Sequence, residues 1–120
     1  MIIATLIALT LAQPPPGKHL PDSGFAAPFE VALNPGPGGR FSSAGCMELE
    51  IRLGNGGFAE KVRIVQSSKY YQIDRAVLNA LTSYRFKADG LPRDVAWTAF
   101  FSWSADGRRT AFSSKCVVLD

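Results

Sequence analysis

Histidine occurs once in the 120 residues and cysteine only twice. The lone His19 sits in a proline-rich stretch, where a solvated imidazole is the ordinary outcome. No Ser/His/Asp set and no metal-ligand spacing can be read from such a chain. Paired carboxylates are scarce as well. Glu48 and Glu50 stand two apart on the polar face of a strand pattern, an arrangement typical of solvated charge. No enzyme, metal or cofactor is therefore expected. Charge of one sign is not concentrated either. Thirteen Lys and Arg against ten Asp and Glu leave a net charge of +3, and the densest basic cluster is Arg108-Arg109 in a turn. Nucleic acid is not an expected partner without a basic face or run. Finally, no apolar run reaches the roughly 20 residues that a membrane-spanning helix needs.

The longest apolar run is the first one, MIIATLIALTLA, which ends before Gln13. As a helix it would span about 18 Å against a hydrocarbon core of about 30 Å. Its length suits the apolar core of a signal peptide, and Thr10-Leu11-Ala12 offers small residues for cleavage, although no Lys or Arg precedes it. Residues 1–12 are expected to direct export. The alternative is a truncated membrane anchor that stays attached and provides the only membrane contact. Residues 13–44 are rich in Pro and Gly, with QPPPGKHLPDSG favouring extended polyproline II and NPGPGG breaking the chain. Between them, Phe29, Val31 and Leu33 alternate as in a short strand.

From residue 45 to 120 the pattern is that of one packed domain. In CMELEIRL, Met47, Leu49, Ile51 and Leu53 share one face and Glu48, Glu50 and Arg52 the other, a half-buried strand. The glycine run at residues 54–57 leads into a second strand, residues 58–66, with Val62 and Ile64 inward and Lys61 and Arg63 outward. A phosphate loop would need a following Lys-Ser/Thr and a helix, so a hairpin turn is the better reading. The period then changes. Ile73, Val77, Ala80, Leu81 and Tyr84 form one helical stripe, with Asp74 in the first turn and a stop expected near residues 86–89, before Gly90 and Pro92. Residues 94–103 alternate once more. Val95, Trp97, Ala99, Phe101 and Trp103 share the face expected to meet the helix, and Ala96, Thr98, Phe100 and Ser102 share the opposite one. The expected fold is α+β: a small antiparallel sheet of three to four strands in ββαβ order, packed on one helix. The hairpin's first strand lies in the middle.

These elements resemble the C-terminal domain of the TonB family of energy transducers. The residues that carry the resemblance are Gly56, Val62-Arg63-Ile64, Ser67-Ser68, Ile73-Asp74 with Ala76 and Ala80, and Tyr84-Arg85-Phe86-Lys87. It covers about half the chain, residues 45–103. It implies a periplasmic interaction domain that adds an extended peptide to a sheet edge, linked to energy-coupled outer-membrane transport. By that likeness the edge is the third strand, and Val95, Ala96, Thr98, Phe100 and Ser102 are its partner-binding residues. The partner would be an envelope protein or extended peptide, such as one from an outer-membrane receptor. The N-terminal half departs from the family. Fully stretched, residues 13–24 reach only about 40 Å, where a transducer has a full anchor and a long linker. A stand-alone exported module with another envelope partner is the alternative.

The tail adds two expectations that conflict. Asp106-Gly107 is a strong hairpin signal, and residues 110–119 could fold back as a fourth strand on the edge just named. Two cysteines in an oxidising compartment should pair, and Cys46–Cys116 closes a loop of about 70 residues, for which chain entropy assigns about 4 kcal/mol. A regular hairpin, however, carries Cys116 toward Trp97, whereas Cys46 faces the far end of that strand. The pair forms only if the tail bends after a short hairpin and crosses the end of the sheet. Otherwise a regular four-stranded sheet with free thiols results.

Overall fold

A computed structural model describes residues 18–26 and 28–119. The expected export segment, residues 1–12, lies outside the described residues. The elements are β1 (Lys18–His19), β2 (Gly45–Leu53), β3 (Ala59–Gln66), α1 (Tyr71–Leu81), β4 (Trp97–Trp103) and β5 (Thr110–Ser113). They form an α+β unit in which one helix covers a five-stranded mixed sheet. The hairpin strand β2 is central, antiparallel to β3 on one side and to β4 on the other. β4 starts at Trp97, three residues later than the alternation suggested, because residues 93–95 bend. The sheet is not purely antiparallel: β1 runs parallel to β4.

The core lies on the sheet face that carries Met47, Leu49, Ile51 and Leu53 from β2 and Trp97, Ala99, Phe101 and Trp103 from β4. Against it α1 buries Ile73, Val77 and Leu81. Beyond the end of the helix the cover is aromatic. Phe112 of β5 lies 4.5 Å from Phe29 and 5.0 Å from Phe25 between ring centroids, and Tyr84 packs edge-on to Phe86 at 4.8 Å. The Phe25–Phe112 and Tyr84–Phe86 pairs are edge-on, which suits the ring quadrupole and contributes beyond area burial.

Two expectations fail in ways that have a physical cause. The helix ends at Leu81, not near residues 86–89. Thr82 donates its hydroxyl to the Asn79 carbonyl at 2.6 Å, closing the last turn locally instead of extending it. Residues 84–87 then run extended, with Phe58 bridged to Arg85 and the Phe86 amide donating to the Gly57 carbonyl at 2.8 Å. Tyr84 still faces the core, but from an extended segment and not from the helical stripe. The second difference concerns the Pro/Gly-rich segment, whose described part is laid into the domain. Leu20 is fully buried and Phe41 is 5% exposed. Phe29, Val31 and Leu33 do turn one side toward the core, but they belong to no strand.

The glycine turn between β2 and β3 is held by more than conformational ease. Gly57 has φ +85°, and a Cβ there would stand 2.4 Å from the Phe86 carbonyl oxygen. The close approach lets residues 85–86 dock, and the Arg85 guanidinium adds a bond to the Gly56 carbonyl at 2.7 Å. Gly57→Ala should cost at least about 2 kcal/mol, from the left-handed backbone and the clash together. Gly38→Ala, in open space, should be nearly neutral. Urea midpoints of the two variants check this, and similar midpoints would contradict it.

The step from β3 into α1 turns on Asp74. Its carboxylate accepts from the Ser67 hydroxyl at 2.6 Å and from the Ser68 amide and hydroxyl at 3.0 and 2.5 Å. The charge read from the sequence as a helix-dipole partner is therefore spent mainly on tying the preceding turn, where Lys69 adopts φ +72°. Burial opposes ionisation of Asp74, but the hydrogen bonds from Ser67 and Ser68 outweigh it and hold the carboxyl below its ordinary pKa. The sign follows. A depressed folded-state pKa contributes stability above the ordinary carboxyl range, lost as pH falls through the lower folded value. Asp74→Asn should lose about 1–2 kcal/mol at pH 7 and should destabilise less steeply than the parent on acidification. Parallel stability–pH curves below pH 5 would contradict the assignment.

The cysteine conflict resolves in favour of the bend. β5 ends at Ser113, the chain bends at residues 114–115, and Cys116 forms a disulfide with Cys46 at a Cα separation of 5.7 Å. Cys46 stands opposite Ser102 in the ladder, so the tail crosses the outer face of β4 to reach it. Ser102 accepts the Val117 amide on its hydroxyl oxygen at 3.1 Å beneath that crossing. The short hairpin and the disulfide coexist.

Candidate functional site

Strand addition needs an unfilled sheet edge, so the state of each edge decides what could be added there. The residues proposed from the sequence lie at and before β4. Val95 and Ala96 precede the strand and are half-buried, with Val95 packed toward the core. Thr98, Phe100 and Ser102 lie on the outer face, where Thr98 is 9% exposed and Ser102 fully buried. That face is covered because the disulfide draws the tail across it.

The edge of β4 away from β2 is shared by two short strands. β5 pairs with Phe100, Phe101, Ser102 and Trp103. β1 pairs in parallel with Trp97 and Thr98. The Ala96 carbonyl accepts the Lys18 amide at 3.2 Å and the Thr98 carbonyl accepts the Leu20 amide at 2.9 Å. The chain thus places its own segments along the edge that the five residues would offer. His19 stacks on Phe100 at 6.0 Å, and its Nδ1 donates to the Ser114 carbonyl at 3.0 Å, joining the β1 and tail covers. Asp22 accepts from the Ser114 hydroxyl at 2.7 Å and strengthens that junction.

The turn that delivers β5 is built around Asp106. Its carboxylate accepts from the Ser104 hydroxyl at 2.7 Å and the Arg108 amide at 3.0 Å, and these bonds, the Ser104 one foremost, hold it below its ordinary pKa. Gly107 at φ +73° completes the turn. Beyond β5, a shallow groove runs between Thr110, Phe112 and the extended residues Phe29 and Val31, floored by Tyr84. Burial pushes the Tyr84 phenol above its ordinary pKa, although the Ala26 amide bonds its oxygen at 2.9 Å.

Among the described residues, the strand at the opposite edge of the sheet, β3, pairs with β2 alone, with the Phe58–Arg85 bridge just before it. Sequence reasoning passed over it because its side chains read as ordinary solvated charge. Glu60, Lys61, Arg63 and Gln66 are exposed there, and Arg63 meets Glu50 across the ladder at 3.2 Å. Among the described residues no helix is long and apolar enough to cross a membrane, and no group of three or more His, Cys, Asp or Glu could hold a metal ion. No family model, curated protein or solved structure matches the chain.

The outer-face position of Phe100 makes a measurable claim. Its ring is half-buried against His19, whereas Phe101 is fully buried in the core. Phe100→Ala should cost about 1 kcal/mol, and Phe101→Ala about 3–5 kcal/mol. Denaturant midpoints measure both. A larger loss at Phe100 would mean that the tail cover contributes more to stability than the helix-facing core does.

Proposed function

We propose that the chain is an exported, TonB-like interaction domain that takes an extended peptide from an envelope partner by strand addition. The supporting observation is the divided edge of β4. Its first half is held by a strand of two residues, Lys18–His19, and its second half by one of four, Thr110–Ser113. A single partner strand running the length of β4 would make a longer ladder than either cover alone. Val95, Ala96, Thr98, Phe100 and Ser102 are the residues it would meet. The disulfide is compatible with an oxidising, exported location, and the resemblance of the β2–β4 region to the TonB C-terminal domain favours the periplasm. An outer-membrane receptor, offering an extended peptide from its plug region, is the proposed partner, and energy-coupled transport the proposed process.

One observation favours a second reading. The tail that carries β5 is covalently tied to Cys46, so half of the edge cannot open while the bond is intact. A permanently closed edge suits a stand-alone exported module, with a different envelope partner, better than a transducer.

Opening the edge separates the two. Truncation after Trp103 should raise affinity for a receptor plug peptide at least tenfold by fluorescence anisotropy. Because that truncation also removes Phe112, the Cys46→Ser/Cys116→Ser double variant provides the control, keeping the aromatic cover while freeing the tail. It should bind more tightly than the oxidised parent. Affinity unchanged in both variants would dismiss binding at β4 and leave the stand-alone module.

A further inference from the structure

β3 is eight residues long, and among the described residues nothing pairs with its outer side beyond the Phe58–Arg85 bridge that closes its start, so Lys61–Gln66 present a free edge. Exposed strand edges of this length recruit other strands unless something prevents it. The ladder contains one unfavourable pairing. Arg52 of β2 stands directly opposite Lys61 of β3, and like charges in that relation are destabilising. Arg52 directs its guanidinium to the Asp94 carbonyl at 3.3 Å, so no carboxylate neutralises it there. One position on, Arg63 has Glu50. Lys61 faces solvent beside a second cation.

A second copy of the chain does not suit this edge. In a two-fold antiparallel pairing, side chains on one face meet residues of the same parity. The two registers that pair most of β3 set Arg63 against Arg63, or Lys61 against Arg63, of the other copy. Both repeat the like-charge penalty. A strand with acidic residues at alternate positions removes it. Its carboxylates would stand opposite Lys61 and Arg63 on the outer face. Its intervening side chains would extend the half-buried rim of Val62 and Ile64 on the other.

We propose that the outer edge of β3 binds an extended peptide of alternating acidic and apolar residues, forming a sixth strand whose carboxylates neutralise Lys61 beside Arg52. This inference shares only the strand-addition mode with the function proposed above, and it stands even if the β4 edge binds nothing. Backbone pairing supplies the attachment and the charges supply the choice of partner.

The test uses the full oxidised chain and two acetylated, amidated octapeptides, one alternating Glu and Val and the other Lys and Val. The Glu peptide should bind at least tenfold more tightly in low salt. Amide NMR shifts should concentrate in β3, and the preference should weaken as salt is raised. Lys61→Glu should reverse the preference, and its thermal transition, no lower than the parent's, would show that the variant folds. Equal affinity for the two peptides would overturn the proposal, as would indifference to Lys61→Glu. Shifts confined to β4 and residues 18–20 would also overturn it, while supporting the β4 reading. Sedimentation of the free chain should report a monomer, and a dimer whose amide shifts map its interface to β3 would overturn the proposal in favour of self-pairing.

Discussion

The rest of the structure depends on the pairing of β4 along both of its sides. On one side seven residue pairs, from Gly45–Trp103 to Ile51–Trp97, lock it to the central strand. On the other, β1 and β5 divide the remaining edge. With Trp97, Phe101 and Trp103 on one face and a crossing tail on the other, β4 has almost no surface left. Exposure along it follows from that enclosure. Phe100 alone in the strand is half-exposed, and the other six residues are buried. Each neighbouring element is positioned by β4: the helix by the rings beneath it, the N-terminal segment by two backbone bonds, and the tail by the disulfide above it.

The strands β2, β3 and β4 were readable because each turns a row of apolar residues, spaced by two, toward the face that the helix covers. The start of α1 was readable for the same reason at a period of 3.6. The end of α1 was not. Tyr84 falls in phase with the stripe, and an apolar period cannot separate a continued helix from an extended segment that faces the same core. The deciding signals were small and local, the Thr82 and Ser83 hydroxyls turning back on the last carbonyls. The Pro/Gly-rich segment was obscure for a different reason. Leu20 and Phe41 are isolated apolar residues with no repeating neighbours, and their burial depends on partners far away in sequence. β1 has no signature at all, since two residues cannot display a period.

The proposed binding residues show the same division. The sequence could place Thr98, Phe100 and Ser102 on one face of a strand, because alternation fixes that. The Asp106-Gly107 turn announced that the tail would fold back onto that edge, but nothing announced that Lys18–His19 would share it, because two residues display no period. The disulfide was anticipated from count and compartment, and its apparent conflict with the hairpin disappeared once β5 proved only four residues long. The β3 edge was overlooked for the opposite reason. Its residues were read correctly as exposed, but which cation stands opposite which is a matter of register, and the register includes irregularities at Glu48/Leu49 and Arg52/Leu53 that no pattern announces.

The parallel contact of Lys18–His19 with Trp97–Thr98 has a consequence for how the chain acquires its shape. Synthesis proceeds from the N-terminus, so the first described residues have no place to go until nearly the whole polypeptide exists. Leu20 remains in solvent until β4 arrives, and the covalent closure waits for residue 116. Contacts of such sequence separation delay folding, because the intervening chain must be ordered before they form. The hairpin and helix can organise early by local contacts, but they would leave the rings beneath β4 uncovered. The segments at residues 18–20 and 110–116 therefore join the domain late, both onto β4.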